Sequence, residues 1–495
     1  MPLSEVPGPG EVPHGDPVAP VSRRSRPSDV LESHRWAAAH DRLVAALVEL
    51  IRIPSINPPN PPGPELDAAR AIAALLAASG VHATVYEPVP GRGSVVARLR
   101  GDGTGGDPLL LLSHLDVVPA PADRWTHDPF GGEIADGYVY GRGAVDMKDL
   151  VAMEVEVVRM LADDARAAGL DPAIDPIPGL RRDILLAITA DEEAGGVDGI
   201  GWLVDHHPEH LRAAGALNES GGVSLEIAGR RLYPIQVAEK GYAVYRITVH
   251  GTWGHGSMPR PDNAAVMAAE AIRRLAIPGA LRVTPVMRAF FEEAAAALGG
   301  EAATLLRAMA SGEVGRAEAA IDRLCAPVYA RAARALLRDT VSPNVIHSGV
   351  KYNVIPGEAT IELDCRLLPG TDEPAMRAEI EARLGAELVA ASTIELVTTM
   401  PPVVATSDSP LYRVLEEAIR GADPEGVPLP VMAPFATDAK LLVRLGVPAY
   451  GFSPLRLASD ESYLERYHGV DERVGLDALR WGLPVLYDAV LRFCG

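Results

Sequence analysis

Two short apolar runs that end in ionisable residues constrain the fold of this chain more than any other sequence feature. Residues 109–112 lead directly into His114, and residues 184–189 lead into Glu192 and Glu193. Unbroken apolar runs of this length are typical of strands that are covered on both faces. Segments with a helical spacing of apolar residues lie before, between and after these runs. The pattern predicts an α/β fold with a mixed, mostly parallel sheet flanked by helices.

The order of predicted strands and helices changes twice along the chain. This predicts a main domain that is interrupted by an inserted domain. From about Lys240 the segments follow the order strand-helix-strand-strand-helix-strand, the pattern of a small two-layer α+β domain. The Pro- and Gly-rich N-terminus predicts a disordered tail. The predicted regions are a tail at 1–33, a main domain at 34–239 and 401–495, and an inserted domain at 240–400 that carries a helical insert at 280–340.

The net charge excludes several classes of partner, and the cysteine content indicates where the protein is located. Lys and Arg total 46 and Asp and Glu total 66, which gives a formal net charge of -20. This excess repels phosphate backbones and anionic membrane surfaces, so we expect neither nucleic acid nor a membrane as a partner. No uninterrupted apolar run reaches the roughly 18 residues of a membrane span. Three widely spaced cysteines without a CxxC pair predict no disulfide framework and a cytoplasmic location.

Histidine or acidic residues stand at the ends of several predicted strands and in Gly-bearing loops. Taken singly, each has an ordinary explanation: Asp146 could cap a helix, and Glu219 or His468 could lie at the surface. Glu192 and Glu193 are different, because two adjacent carboxylates behind an apolar strand are costly to bury without cations. Ligands bind at the carboxyl ends of strands in such sheets, and imidazole and carboxylate suit zinc. The residues of these segments that could bind metal are His114, Asp146, Glu192 or Glu193, Glu219 and His468.

The order of these segments resembles the aminoacylase, carboxypeptidase S and succinyl-diaminopimelate desuccinylase family of two-zinc metallopeptidases. The resemblance runs from about residue 35 to the end of the sequence. The motifs that carry it are His114-Leu115-Asp116, Trp125 with Asp128-Pro129-Phe130, residues 141–148, Asp191-Glu192-Glu193, Gly254-His255-Gly256-Ser257, residues 353–356 and residues 364–369. The resemblance implies that the main domain is catalytic and that the inserted domain is a lid that also mediates dimerisation.

The resemblance also implies a ligand set for two zinc ions, with Co²⁺ or Mn²⁺ as alternative metals. His114 and Glu219 would hold one ion, Glu193 and His468 the other, and Asp146 would bridge the two.

Two further residues complete the catalytic centre that the resemblance implies. Asp116 would orient His114, and Glu192 would be the general base for a hydroxide bridged by the metals. On sequence alone the roles of Glu192 and Glu193 could be exchanged.

Residues of the lid and of the last segment would contact the substrate. His255 matches the histidine that stabilises the oxyanion, often across a dimer interface, with a turn histidine as the alternative. Arg366 and Asn353 match positions that bind a substrate carboxylate, although Arg366 could instead pair with a surface acid. Thr437 and Asp438 match a loop that lines the substrate pocket.

The resemblance predicts a hydrolase that cleaves the amide bond of a small N-acyl amino acid or a dipeptide with a free carboxylate. Two alternatives stay open. One is the same site acting on a non-peptide C–N bond of the N-carbamoyl type, and the other is a non-catalytic metal-binding relative. The presence of Glu192 and of every proposed ligand favours catalysis.

Overall fold

The computed structural model describes residues 33–57, 64–459 and 461–495. The tail predicted at 1–33 lies outside the described residues except for Ser33, where the first helix begins. Among the described helices, none combines the length and the apolarity that crossing a membrane requires.

The described strands are numbered in chain order. They are β1 Ala83–Val89, β2 Arg92–Leu99, β3 Leu109–His114, β4 Glu133–Ala135, β5 Tyr138–Tyr140, β6 Ile184–Thr189, β7 Gly215–Asn218, β8 Leu225–Ile227, β9 Arg230–Glu239, β10 Gly241–His250, β11 Gly254–His255, β12 Thr340–Ser348, β13 Val354–Ile355, β14 Glu358–Leu367, β15 Ser392–Met400, β16 Val403–Val404, β17 Val427–Ala433, β18 Ala449–Gly451 and β19 Arg473–Gly475.

The described helices are numbered in the same way. They are α1 Ser33–Ile51, α2 Glu65–Ala78, α3 Lys148–Ala167, α4 Trp202–His206, α5 Ala264–Leu275, α6 Pro285–Leu298, α7 Gly300–Ala310, α8 Val314–Leu324, α9 Pro327–Leu336, α10 Glu373–Ala390, α11 Pro410–Ala422, α12 Ala439–Leu442 and α13 Leu476–Cys494.

Ten of the described strands form one mixed sheet in the order β1-β2-β6-β3-β7-β18-β9-β16, with β8 and β17 also paired to β9. The centre of the sheet is parallel: β3 lies between β6 and β7, and β18 follows β7. Towards β1 the strands pair in antiparallel fashion. Every residue of β3 and β6 is buried, as the unbroken apolar runs predict. The predicted α/β fold class is confirmed.

Helices cover both faces of this sheet. One core joins side chains of α1, α3 and α13 to one face, where Leu109 and Leu111 of β3 point. A second core joins α4 and α12 to the other face, where Leu110 and Leu112 point. Alternate residues of the same strand thus enter opposite cores, which explains why the strand is apolar without interruption.

The inserted region forms a four-stranded antiparallel sheet in the order β12-β14-β10-β15. Helices α5 and α10 pack on one face of this sheet through a core that includes Tyr245, Ile361 and Ile380. Charged side chains such as Arg246 and Glu362 occupy the other face and pair across the strands. This two-layer arrangement is the α+β lid predicted from the sequence.

Helices α6 to α9 form the predicted helical insert. Their apolar side chains, including Phe290, Phe291 and Leu306, join a core with Leu429 and Met432 of β17. The insert therefore packs on the main sheet, although it lies within the segment assigned to the lid. The domain boundaries proposed from the sequence stay a prediction.

Candidate metal centre

The candidate site lies where three parallel strands end. His114 is the last residue of β3, Glu219 follows the end of β7, and Glu193 lies in a short turn after β6. Strand β3 pairs in parallel with both neighbours, so the three carboxyl ends meet at one edge of the sheet. The topology thus brings together side chains that are far apart in the sequence.

One group of side chains is buried. The ligand atoms of His114, Asp146 and Glu219 lie within 4.8 Å of one another. His114 Nε2 is 3.3 Å from Asp146 Oδ1 and 3.8 Å from Glu219 Oε1. We call these three residues the buried half of the centre.

A second group shares Asp146 with the first. His468 Nε2 is 3.1 Å from Asp146 Oδ2 and 3.3 Å from Glu193 Oε1. The His468 side chain is 52% exposed, whereas that of Glu193 is 10% exposed. We call Asp146, Glu193 and His468 the open half. The two carboxylate oxygens of Asp146 face different halves, which is the arrangement that a bridging ligand needs.

Asp116 connects the two halves. Its carboxylate accepts hydrogen bonds from the backbone N–H groups of Glu192 and Glu193, at 3.1 and 2.9 Å. It accepts another from Asn57 at 2.7 Å. His114 Nδ1 lies 3.0 Å from the backbone carbonyl oxygen of Asp116, so the Nε2 atom of the ring turns towards Asp146 and Glu219. Asp116 therefore has the contacts expected of a residue that orients ligands.

The electrostatics of the centre call for cations. Burial, together with the charge of Asp146, raises the pKa of Glu193 to about 7 against the opposing hydrogen bond with His468. Burial also holds the pKa of Glu219 well above its ordinary value. Burial opposes protonation of His114, but the carboxylates of Asp116 and Asp146 outweigh it and raise the pKa of His114 well above normal.

The donor set of the centre fits divalent cations. Among the described residues, the buried atoms His114 Nε2 and Glu193 Oε1 have no hydrogen-bond partner. Buried polar atoms of this kind are rarely left without one. Imidazole nitrogens and carboxylate oxygens that converge in this way are the ligands that zinc prefers. The residues present therefore fit a pair of such ions.

The adjacent glutamates after β6 face different neighbours. Glu193 faces His468, whereas Glu192 Oε1 lies 3.3 Å from Lys440 Nζ at the start of α12. Lys440 is only 5% exposed. Burial disfavours its charged form, but Glu192 and Asp438 outweigh this and raise the pKa of Lys440.

Sequence reasoning missed Lys440. Its sequence signal is a single charge in front of the apolar residues Leu441 and Leu442. Such a lysine is buried only with a partner, and that partner is Glu192, 248 positions away.

Thr437 and Asp438 are buried beside Lys440. Thr437 donates its hydroxyl to Glu239 and accepts a hydrogen bond from Asn218 at 2.9 Å. Asp438 accepts a hydrogen bond of 2.6 Å from Thr189 at the end of β6. Burial raises the pKa of Asp438 to about 7. Both side chains are held by protein contacts, and their role in lining the substrate pocket stays a prediction.

The predicted lid residues fall into two separate places. Arg366 lies opposite Tyr242 at the start of β10 and pairs with Asp364, at 2.7 and 3.0 Å. The exposed His255 contacts the Ser257 hydroxyl at 2.8 Å.

Asn353 lies close to His255 because its carbonyl oxygen accepts the N–H of Gly256 at 2.8 Å. Between these two places runs β14, whose ten residues span roughly 30 Å. One chain therefore does not bring His255 and Asn353 to Arg366.

Several known proteins are similar to this chain in sequence. The model of peptidase family M20/M25/M40 matches residues 110–492. A probable carboxypeptidase S-like protein of Dictyostelium discoideum is 28% identical over 391 residues, which is 77% of this chain and 70% of that protein. Aminoacylase-1 of Sus scrofa is 28% identical over 383 residues, 76% of this chain and 78% of that protein.

The fold is likewise similar to a solved structure. An M20 family metallo-carboxypeptidase from Sulfolobus solfataricus superposes with a TM-score of 0.67 at 18% identity, covering 92% of this chain and 99% of the other. The family match extends from β3, which ends in His114, to α13, and so includes every candidate ligand. The chain belongs to peptidase family M20/M25/M40 and is a hydrolase.

Proposed function

We propose that this chain is a two-metal amidohydrolase that cleaves small N-acyl amino acids or dipeptides with a free carboxylate. The observation that carries the proposal is the placement of Asp146, whose Oδ1 faces His114 and whose Oδ2 faces His468. In this assignment His114 and Glu219 would hold one ion, Glu193 and His468 would hold the other, and Asp146 would be a ligand of both. Zinc is the proposed metal, with Co²⁺ and Mn²⁺ as alternatives.

Glu192 is the proposed general base. Divalent cations held by these residues would lower the pKa of the attacking water and would polarise the scissile carbonyl group. The Glu192 carboxylate takes the proton of the attacking water and then delivers it to the leaving nitrogen. The contacts support this division of roles, since Glu193 lies 3.3 Å from His468 while Glu192 is turned to Lys440. Lys440 orients the base through that ion pair.

Arg366 is the proposed anchor for the substrate carboxylate. Its guanidinium already binds the carboxylate of Asp364 through two nitrogens, a geometry that a substrate carboxylate can reproduce. Arg366 lies opposite Tyr242 in the lid sheet. Tyr242 comes three residues after Glu239, the last residue of β9, which accepts a hydrogen bond from the backbone N–H of the buried Thr437. Arg366 therefore lies at the end of the lid nearest the centre. The names aminoacylase and carboxypeptidase carried by two relatives agree with such a substrate.

A homodimer through the lid is part of the proposal. His255 and Asn353 lie at the end of the lid sheet remote from Arg366, so they would serve the centre of a second copy. Mixing inactive Glu192→Gln chains with inactive His255→Ala chains tests this arrangement. Half of the random dimers are mixed and each has one complete site, so roughly a quarter of wild-type activity should return. A fully active monomer would contradict the dimer.

The substrate class is tested with metal-loaded protein and a panel of N-acyl amino acids, dipeptides and N-carbamoyl amino acids. We expect kcat/KM to be highest for N-acyl amino acids or dipeptides and to fall when the free carboxylate is amidated. Preference for the N-carbamoyl compounds would establish the alternative C–N specificity. Absence of turnover with all three would contradict the proposed substrate class and place the substrate of this hydrolase outside these compounds.

Glu192→Gln is the matched test of the base. The substitution keeps the size of the side chain and removes the proton acceptor, so turnover should be abolished while the metal content stays that of the wild type. Loss of metal in this variant would exchange the roles of Glu192 and Glu193.

A further inference from the structure

A separate set of metal-ligand side chains lies on the segment that joins α4 to β7. The ligand atoms of His207, Glu209 and His210 lie within 4.8 Å of one another. His207 Nδ1 is 3.0 Å from Glu209 Oε1, and His210 Nε2 is 3.9 Å from the same oxygen. Two imidazole nitrogens thus converge on one carboxylate oxygen.

Aromatic side chains hold the two imidazole rings in place. The His207 ring stacks on Tyr86 of β1, with 4.3 Å between ring centroids, and lies 5.2 Å from the ring of Trp202. The Tyr86 hydroxyl lies 3.0 Å from His210 Nε2. Both histidine side chains are about 70% covered, whereas Glu209 is 62% exposed. The nitrogens are therefore fixed by packing, while the carboxylate side stays accessible to ions in solution.

We infer that His207, Glu209 and His210 bind one divalent transition-metal ion of the zinc class. A tetrahedral ion with bonds of about 2.0–2.1 Å places its ligand atoms roughly 3.3 Å apart. The observed separations of 3.0 and 3.9 Å lie on either side of that value, and all three ligand atoms lie within 4.8 Å of one another. Side-chain rotations that also release His210 Nε2 from the Tyr86 hydroxyl complete the site. Two imidazoles and one carboxylate leave a fourth position for water.

This site is independent of the candidate metal centre. The segment that carries it continues to Ala214, whose N–H donates to the carbonyl oxygen of Pro108 immediately before β3 begins. His114, in contrast, is the residue at which β3 ends. The two ligand sets lie towards opposite ends of β3 and share no residue. The inference therefore does not depend on the proposed function.

Calorimetric titration of the metal-loaded enzyme with Zn²⁺ tests the inference. Once the centre is filled, we expect one further equivalent to bind to the wild type. His210→Ala and Glu209→Gln should each weaken this last binding by about 10-fold or more, because each removes one of three ligands. Hydrolytic activity should remain that of the wild type in both variants.

His206→Ala is the matched control. It removes the histidine next to His207 that is not part of the converging set and stacks on Trp202 instead. The further equivalent should bind to this variant with wild-type affinity. Absence of that equivalent from the wild type, or its retention at full affinity in both His210→Ala and Glu209→Gln, would overturn the inference.

A fluorescence titration with Cu²⁺ locates the ion. Cu²⁺ binds such ligands more tightly than Zn²⁺, and it quenches nearby indole rings. The Trp202 ring lies 5.2 Å from the ring of the proposed ligand His207, so Trp202→Phe should remove most of the quenching at the last equivalent. Undiminished quenching in Trp202→Phe would place the ion elsewhere.

Discussion

The buried and open halves of the candidate centre use the same ligand chemistry but differ in their access to solvent. In the buried half the side chains of His114 and Glu219 are 2% and 8% exposed. In the open half the His468 side chain is 52% exposed. The buried half stands on the ends of β3 and β7 in the middle of the sheet, whereas the open half is built from turns. One half is therefore suited to retaining an ion, and the other to exchanging ligands with solvent and substrate.

Two residues in the turns of the open half have positive φ angles. His468 adopts a left-handed conformation with φ 56°, in a segment outside the described helices and strands. Asp191, just before Glu192 and Glu193, also has a positive φ of 72°. Such conformations are strained for residues other than glycine and turn a chain sharply. They redirect the acidic side chains that follow the straight strand β6 towards the pocket.

The largest effect should come from Asp146→Asn. Among the residues that the structure describes, Asp146 is the only one that belongs to both halves. Losing the shared ligand should empty both halves of metal. Because metal ions supply several kcal/mol of transition-state stabilisation, kcat/KM should then fall by roughly 10³-fold or more. Metal analysis by mass spectrometry and steady-state kinetics measure this. If Asp146→Asn kept both ions, the two halves would not share a ligand.

The difference in access predicts that the two ions leave at different rates. A chelator should remove the ion of the open half first, because solvent reaches His468 and not His114. Accordingly His468→Ala should retain the ion of the buried half and lose the other. Measurements in a His207→Ala/His210→Ala background keep the count to the centre alone. Simultaneous loss of both ions from His468→Ala would break the distinction between the halves.

A smaller effect is expected from Asp116→Asn, which affects both halves at once. Asp116 contacts His114 on one side and the N–H groups of Glu192 and Glu193 on the other. Loss of a residue that orients ligands typically lowers metal affinity by about 10- to 100-fold. Competition with a fluorescent chelator measures this affinity. Asn57→Ala, which removes one hydrogen bond to Asp116, should have a weaker effect in the same direction.

The smallest effect on metal binding is expected in the interior behind the buried half, where the change falls on the pH dependence of stability. Glu154 on α3 accepts a hydrogen bond of 2.7 Å from Ser113, next to His114, and burial raises its pKa to about 8. The folded state therefore holds this proton more tightly than the unfolded state. Stability should fall as the pH rises from about 4.5 to about 8, the interval between the unfolded and folded pKa values, and should then level off.

Glu154→Gln should lack this contribution to the pH dependence. Relative to the wild type, its free energy of unfolding should improve from pH 5 to pH 8 in urea titrations. The same substitution at the exposed Glu49 of α1 is the control and should show no such gain. An unchanged pH dependence in Glu154→Gln would mean that water reaches the interior behind His114.

Much of the fold was accessible from sequence periodicity. Residues 184–189 were predicted as a strand and form β6. The order strand-helix-strand-strand-helix-strand predicted from about Lys240 is that of β10, α5, β12, β14, α10 and β15. Periodicity works here because burial on one or both faces fixes the spacing of apolar residues. The packing of α6 on β17 was not predictable. The spacing of apolar residues in an amphipathic helix shows which face is buried but does not identify the element that covers it.

The sequence by itself determined the chemistry of the candidate centre: which side chains have ligand atoms, and which of them follow strand ends. Only the tertiary structure decided how they divide. It turned Glu193 to His468 and Glu192 to Lys440, buried His114 and exposed His468, and set His255 far from Arg366. The physical reason is that the spacing of apolar residues along a segment determines where each strand of the sheet ends. Side-chain direction and burial depend on turns and on partners hundreds of positions away, which local spacing does not record.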